Sequence, residues 1–351
     1  MLDSLENYCR NLVEAEEVLG DLCSTGAEEC FCFEVEFVSN EIKIISKYNK
    51  RTDILLKIWL FFSRELDSID EVKFHSAGSC KYYPELKREP LIVDQLLKEL
   101  GIYLIESKGD FVLTCDIDWP FFYPRTPSGY LRRMYHLFSG SYRGDLFDTY
   151  QHIIDTGREF LIPVKFFILP NGRGKHDPRI FEKRRLLKRL RKVTTSYDKV
   201  SFGIHIPLAP TSKYLKIVEW IGKELPLTGS RTHYLRRDDK IIAKSLGKMN
   251  SSYDYSAGYN DAPSTFYGTS IRVLSWKDYL LGNRIFKIPV YFMDVHLDYC
   301  GKLWSFEEFL KSDKEIIQKT GFKRLIIWHN DKFHESSIYY ERMKSLINRL
   351  K

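Results

Sequence analysis

From Phe111 onward, short apolar runs alternate with helical periods, and this alternation restricts the possible folds more than any other feature. Strand candidates fall at Phe111–Cys115, Ile162–Leu169, Val200–Ile206, Ser251–Tyr255, Lys287–Met293 and Arg324–Trp328. Helical periods lie between them near 145–156, 179–193, 212–224, 238–247 and 305–319, with a last one near 335–350. Such a series argues for a mostly parallel α/β sheet or barrel, because parallel neighbours need a crossover and a helix supplies it. The first hundred residues read differently, as a smaller α/β region. They carry a polar helix over 3–20, a half-buried strand from Phe31 to Val38, a buried helix or strand over Ile54–Phe62, a turn-rich patch at Gly78–Pro90, and a helix at Leu91–Leu100 ending at Gly101. The chain is therefore divided into residues 1–105, of unassigned role, and 106–351, the larger domain.

Composition removes several classes. With 44% hydrophobic and 29% charged residues, the 351-residue chain is neither disordered nor fibrous. Its 54 Lys+Arg against 47 Asp+Glu leave a formal charge of +7, a mild excess that without a focused patch gives no case for nucleic acid. No apolar run reaches the length of a membrane span, and Met1-Leu2-Asp3-Ser4-Leu5-Glu6 lacks the basic and apolar regions of an export signal. Seven cysteines (Cys9, Cys23, Cys30, Cys32, Cys80, Cys115 and Cys300) form no C-x-x-C, so free thiols are expected. The expectation is a cytoplasmic protein without an integral membrane segment.

Polar residues gather at the strand ends, where folds of this class place their chemistry. The first strand runs into Asp116-Ile117-Asp118-Trp119. Two buried carboxylates two residues apart repel each other unless a divalent cation or a shared proton intervenes; the alternative is a capping or turn pair. His205 closes the third strand, Ser230-Arg231-Thr232-His233-Tyr234 precedes a helix, Tyr253-Asp254-Tyr255 ends the next strand, and His329-Asn330-Asp331 ends the last. Each has a bland reading as packing or capping. Asp, His, Arg/His, Asp and His at successive strand ends together point to a metal-assisted hydrolytic site.

The order of these motifs resembles the polysaccharide deacetylases of the NodB-homology superfamily (carbohydrate esterase family four), and most closely a divergent branch found beside bacterial capsule and lipopolysaccharide genes. The motifs are Cys115-Asp116-Ile117-Asp118, Gly203-Ile204-His205-Ile206-Pro207, Ser230-Arg231-Thr232-His233-Tyr234-Leu235, Asp254-Tyr255-Ser256-Ala257-Gly258-Tyr259 and Ile327-Trp328-His329-Asn330. Gly258 to Ser270 and Ile288 to Asp294 fit the branch too, and the likeness covers roughly residues 90 to 351.

The resemblance implies a distorted (β/α) barrel with a metal, most simply Zn²⁺, at its mouth. It implies Asp116 as general base, Asp118 and His205 as ligands, and His329 as general acid. The superfamily's second ligand histidine falls at Ala209, so His233 is expected as third ligand. Arg231 and Asp254 are expected to form a buried charge pair that holds the base, and Trp119, Tyr123, Tyr234 and Trp328 to contact substrate. The implied reaction is removal of acetyl groups from an N-acetylated sugar or oligosaccharide. The alternatives are a degenerate member without turnover and a hydrolase of another amide. Cys115 stands where the branch has a histidine, and Ile206 is an extra residue before Pro207.

Two further stretches carry double readings. Leu186, Leu187, Leu190 and Val193 recur at helical spacing within the basic run 182–193, whose charges are either a solvated helix face or a peripheral contact with an anionic membrane surface. Asn171-Gly172-Arg173-Gly174-Lys175 lacks the spacing of a phosphate-binding loop and reads as a loop at the rim of the site.

Overall fold

The computed structural model describes residues 33–38, 41–46, 53–58, 92–100, 111–123, 126–139, 145–170, 183–236, 238–259, 273–274, 284–299, 324–334 and 337–350. The expected helices over 3–20 and 305–319, the 78–90 turns, the 171–175 loop and every cysteine except Cys115 lie outside them. Strands β1 (Phe33–Val38) and β2 (Glu41–Ser46) pair antiparallel in a sheet of their own. Residues 53–58 are helical with Leu55, Leu56 and Ile58 buried, which settles the ambiguous apolar run, and α1 (Ile92–Glu99) follows.

The remaining strands form one sheet. They are β3 (Phe111–Ile117), β4 (Val164–Ile168), β5 (Val200–Ile206), β6 (Leu227–Thr232), β7 (Tyr253–Ala257), β8 (Val273–Leu274), β9 (Phe286–Pro289), β10 (Phe292–Met293) and β11 (Arg324–His329). Their order is β10-β11-β3-β4-β5-β6-β7-β9-β8; the first eight in that order are parallel and only β8 runs against its neighbour. The helices are α2 (Pro127–Phe138), α3 (Tyr150–Glu159), α4 (Lys183–Thr194), α5 (Tyr214–Glu224), α6 (Asp239–Met249), the single turn α7 (His296–Tyr299) and α8 (Ile338–Leu350).

The sequence places one strand at Lys287–Met293, whereas the structure divides this run at Val290 and Tyr291. Its first part, β9, pairs with β7, while its second, β10, pairs with β11 near the other end of the sheet. At the division, Val290 N–H donates to Ala257 O (2.9 Å) and Tyr291 N–H to Leu325 O (3.0 Å). Two strands so close in sequence can sit near opposite ends of one sheet only if the sheet curls until its ends approach. The result is a distorted half-barrel with helices around it.

Strand alternation sorts the side chains into two layers. Leu113, Cys115 and Ile117 of β3, Val164, Phe166 and Ile168 of β4, Phe202, Ile204 and Ile206 of β5, and Ile326 and Trp328 of β11 pack in one core with helical residues such as Ile153, Leu186 and Val218. Residues of opposite parity, among them Asp116, Lys165, Phe167, Gly203, His205 and His329, face the inside of the curl. The basic helix α4 buries Leu186, Leu187, Leu190 and Val193 and leaves Arg184, Lys188, Arg191 and Lys192 exposed, as its period requires.

Candidate metal centre

Asp118 leaves β3 one residue after its end, His205 lies near the end of β5, and His233 follows β6 immediately. These parallel strands, with β4 between β3 and β5, carry them to one rim. His205 Nε2 is 3.3 Å from Asp118 Oδ1, and His233 Nε2 is 3.2 Å from Asp118 Oδ2. One ligand atom from each of the three lies within 4.8 Å of the others, a spacing fit for one cation. His205 Nδ1 is 3.1 Å from the carbonyl of Arg231; since a carbonyl only accepts, Nδ1 bears the proton and Nε2 keeps its lone pair. Asp118 Oδ1 and His205 Nε2 are buried with no hydrogen-bond partner. Two such orphaned acceptors, facing each other, form a donor pair that a divalent cation would satisfy. Burial alone would raise the Asp118 carboxyl, but when the two imidazoles are protonated their hydrogen bonds and charge hold it well below the usual carboxylate range.

The general-base candidate sits beside this cluster. Asp116 Oδ1 accepts from Arg231 Nη1 at 2.6 Å, and its Oδ2 is 3.8 Å from His205 Nε2. Arg231 is fully buried, its Nε donates to Tyr255 O (3.1 Å), and its guanidinium lies 4.1 Å from the centre of the Phe167 ring. Gly203 makes room for that ring: a Cβ at 203 would stand 2.5 Å from Phe167 Cε1.

The expected Arg231–Asp254 pair is not formed. Asp254 accepts from Ser256 N–H (3.1 Å), the Ser256 hydroxyl (2.6 Å) and Lys287 Nζ (3.1 Å), while Arg231 pairs with Asp116. Lys287 also reaches Asp239 at the start of α6, so Asp254 belongs to a structural ion network and not to the cavity lining.

His329 Nε2 lies 3.7 Å from Asp118 Oδ2, at the edge of the same site. Its ring is oriented by Asp294, whose Oδ1 is 2.8 Å from His329 Nδ1 and whose Oδ2 accepts from the His329 N–H at 2.8 Å. Burial pushes this imidazole toward the neutral form, but the Asp294 charge and hydrogen bond overcome it and hold its pKa well above the usual histidine value. Asp294 is fully buried beyond β10, and sequence reasoning places it only within the stretch Ile288 to Asp294. The signal that identifies it is its position: a carboxylate just past an apolar strand.

A cavity of about 390 Å³ opens over these groups. Trp119 and Tyr234 line it, about half exposed. Tyr234 and Leu235 both adopt left-handed backbone (φ 58° and 53°), strained for non-glycine residues, and the Tyr234 ring is thereby laid 4.3 Å from that of the candidate ligand His233. The substrate contacts expected of Trp328 and Tyr123 are not available. Trp328 belongs to the helix-side core with no exposed surface, since its parity is opposite to that of His329, and Tyr123 is buried against Phe122 and His136. Asn330 holds the rim together, its side-chain N–H donating to the carbonyls of Trp119 (2.8 Å) and Phe147 (2.9 Å).

No protein-family model matches the chain, and no curated protein matches it. Among solved structures, one described as a "putative polysaccharide deacetylase from Mycobacterium smegmatis" is 12% identical over 70% of this chain and 85% of that one, with a TM-score of 0.43. At that distance the functional reading rests on the residues themselves.

Proposed function

We propose that the protein is a metal-dependent hydrolase that removes acetyl groups from an N-acetylated amino sugar in a glycan or glycan precursor. The observation that carries this reading is the convergence of Asp118, His205 and His233 beside the Arg231-held carboxylate of Asp116 and the Asp294-held imidazole of His329. An Asp-His-His donor set with open positions suits Zn²⁺ among divalent ions. A cation held there supplies Lewis-acid polarisation of a carbonyl and lowers the pKa of water to about 7.

The chain's own groups account for the proton movements. Asp116, fixed by Arg231, takes a proton from the attacking water. His329, kept protonated by Asp294, delivers one to the sugar nitrogen as the C–N bond breaks, because an amide does not readily expel an unprotonated amine. Trp119 and Tyr234 offer the ring faces on which a pyranose packs. Cys115 does not weaken the reading: it sits in the core on the opposite side of β3 from Asp116. The division into residues 1–105 and a barrel of 106–351, and membership of the deacetylase superfamily, belong to the same proposal.

The test combines elemental analysis of the purified protein with acetate release from N-acetylhexosamine oligomers. A bound divalent cation is expected, lost in Asp118→Ala, His205→Ala and His233→Ala, with acetate release lost in parallel. A protein that takes up no cation and whose Asp118→Ala variant releases acetate as before would overturn the proposal.

A further inference from the structure

Helix α2 presents its apolar side to solvent. It starts cleanly, with the Thr126 hydroxyl accepting from Gly129 N–H (3.2 Å) and Pro127 in its first turn. Gly129 is its only buried residue, and His136, half-buried, packs on the rings of Phe122 and Tyr123, each 5.9 Å away. Arg132 completes that inner side, 5.3 Å from the Phe122 ring centre. On the outer side Tyr130, Leu131, Met134, Tyr135, Leu137 and Phe138 are all exposed, Leu131 to 71% and Phe138 to 84%. At about 100° per residue these six cover an arc of roughly 160°, centred nearly opposite the side that touches the body. A helix that only completed a water-soluble fold would be turned the other way.

Several cations border this face. Arg133 is exposed at its edge. Arg185 of α4 places its guanidinium 3.8 Å from the Phe121 ring centre, so α4 borders the same Phe121–Tyr123 segment on which α2 packs. Arg184, Lys188 and Lys192 are exposed on α4, where Arg191 is paired with Glu224, and neither helix contains an acidic residue. An apolar arc bordered by cations matches the region where acyl chains meet anionic headgroups. A second copy on this face would bring like charges together, and a nucleic acid would leave the aliphatic side chains without an apolar environment.

We infer that α2, supported by the exposed cations of α4, docks the protein on an anionic lipid bilayer. Trp119 begins the segment leading to α2 and lines the catalytic cavity, so docking brings that cavity close to the headgroups. The inference does not depend on the hydrolase reading, because binding is measured without turnover.

The test is co-sedimentation of the full chain with vesicles of phosphatidylcholine, alone or with about one-third phosphatidylglycerol. Sedimentation with the anionic vesicles only is expected, falling roughly tenfold or more in Leu131→Asp/Phe138→Asp and about fivefold for each cation removed in Lys188→Ser and Lys192→Ser. In the wild type, the anionic vesicles are also expected to slow amide hydrogen exchange over 127–138, a readout that needs no variant. Absence of vesicle binding, binding that survives the double substitution in a protein of unchanged melting temperature, or a wild-type dimer that this substitution converts to monomer without any vesicle binding would each overturn the inference.

Discussion

In the proposed hydrolysis His329 is the proton donor, and Asp294 is the group that favours its cationic form. The carboxylate fixes the ring from both ends, through Nδ1 and through the backbone N–H, and its charge outweighs the effect of burial. Asp294→Asn keeps the shape and removes the charge. It is expected to lower acetate release by ~10²–10⁴-fold, leave the bound cation in place, and move the alkaline limb of the pH–rate profile to lower pH, since the acid then loses its proton earlier. A purely structural role for Asp294 would lower the rate without moving that limb. Arg231 has the corresponding role for Asp116, with a cation where His329 has a carboxylate. Arg231→Met strands a buried carboxylate and is expected to reduce unfolding free energy in urea by about 3–5 kcal/mol, the usual cost of removing one partner from a buried pair.

At the level of elements, Gly203 links the sheet to the site. A Cβ there would meet Phe167 Cε1 at 2.5 Å and the Gly229 carbonyl at 2.8 Å; the ring can rotate but the strand backbone cannot yield, and the ring supports Arg231. Gly203→Ala is therefore expected to cost about 1–3 kcal/mol in thermal unfolding and to slow turnover while cation binding persists. Elements with a strong internal period could be read from the sequence: β5 spans Val200–Ile206 as expected, and α4 buries the four residues its spacing selects. β6 could not, because Leu-Thr-Gly-Ser-Arg-Thr has no apolar alternation and becomes a strand only through its neighbours β5 and β7. α2 escaped the sequence reading for the opposite reason, as its apolar side is not matched to the core. Within the site, the convergence of the candidate ligands Asp118, His205 and His233 was legible from position, since parallel strands bring their carboxyl ends together. The partner of Arg231 was not. In the sequence both Asp116 and Asp254 read as carboxylates at strand ends, but β7 runs Tyr253–Ala257 and so holds Asp254 near its start, beside Ser230 and away from the rim.

For the whole molecule, the demanding step is bringing the ends of a curled sheet together, and one imidazole fastens that junction. His296 Nδ1 accepts from Met293 N–H (3.2 Å) at the end of β10, and its Nε2 lies 3.0 Å from the carbonyl of Tyr259, two residues past β7. A carbonyl only accepts, so Nε2 carries the proton, Nδ1 keeps its lone pair, and the ring must be neutral to make both bonds. Burial, the largest influence, lowers its pKa to about 4. In the unfolded chain the same group titrates near its ordinary value of about 6.5. Between those values the unfolded state binds a proton that the folded state refuses, so the stability His296 contributes is complete above about pH 6.5 and declines as pH falls toward 4, by about 1.4 kcal/mol per unit. Other groups titrate in the same window, so the informative quantity is a difference. His296→Gln is expected to be less stable than wild type at pH 7, and the gap in urea-unfolding free energy to shrink by roughly 2–3 kcal/mol by pH 4.5. Wild type and variant losing stability in parallel over that range would mean that His296 is not what makes closure of the barrel sensitive to acid.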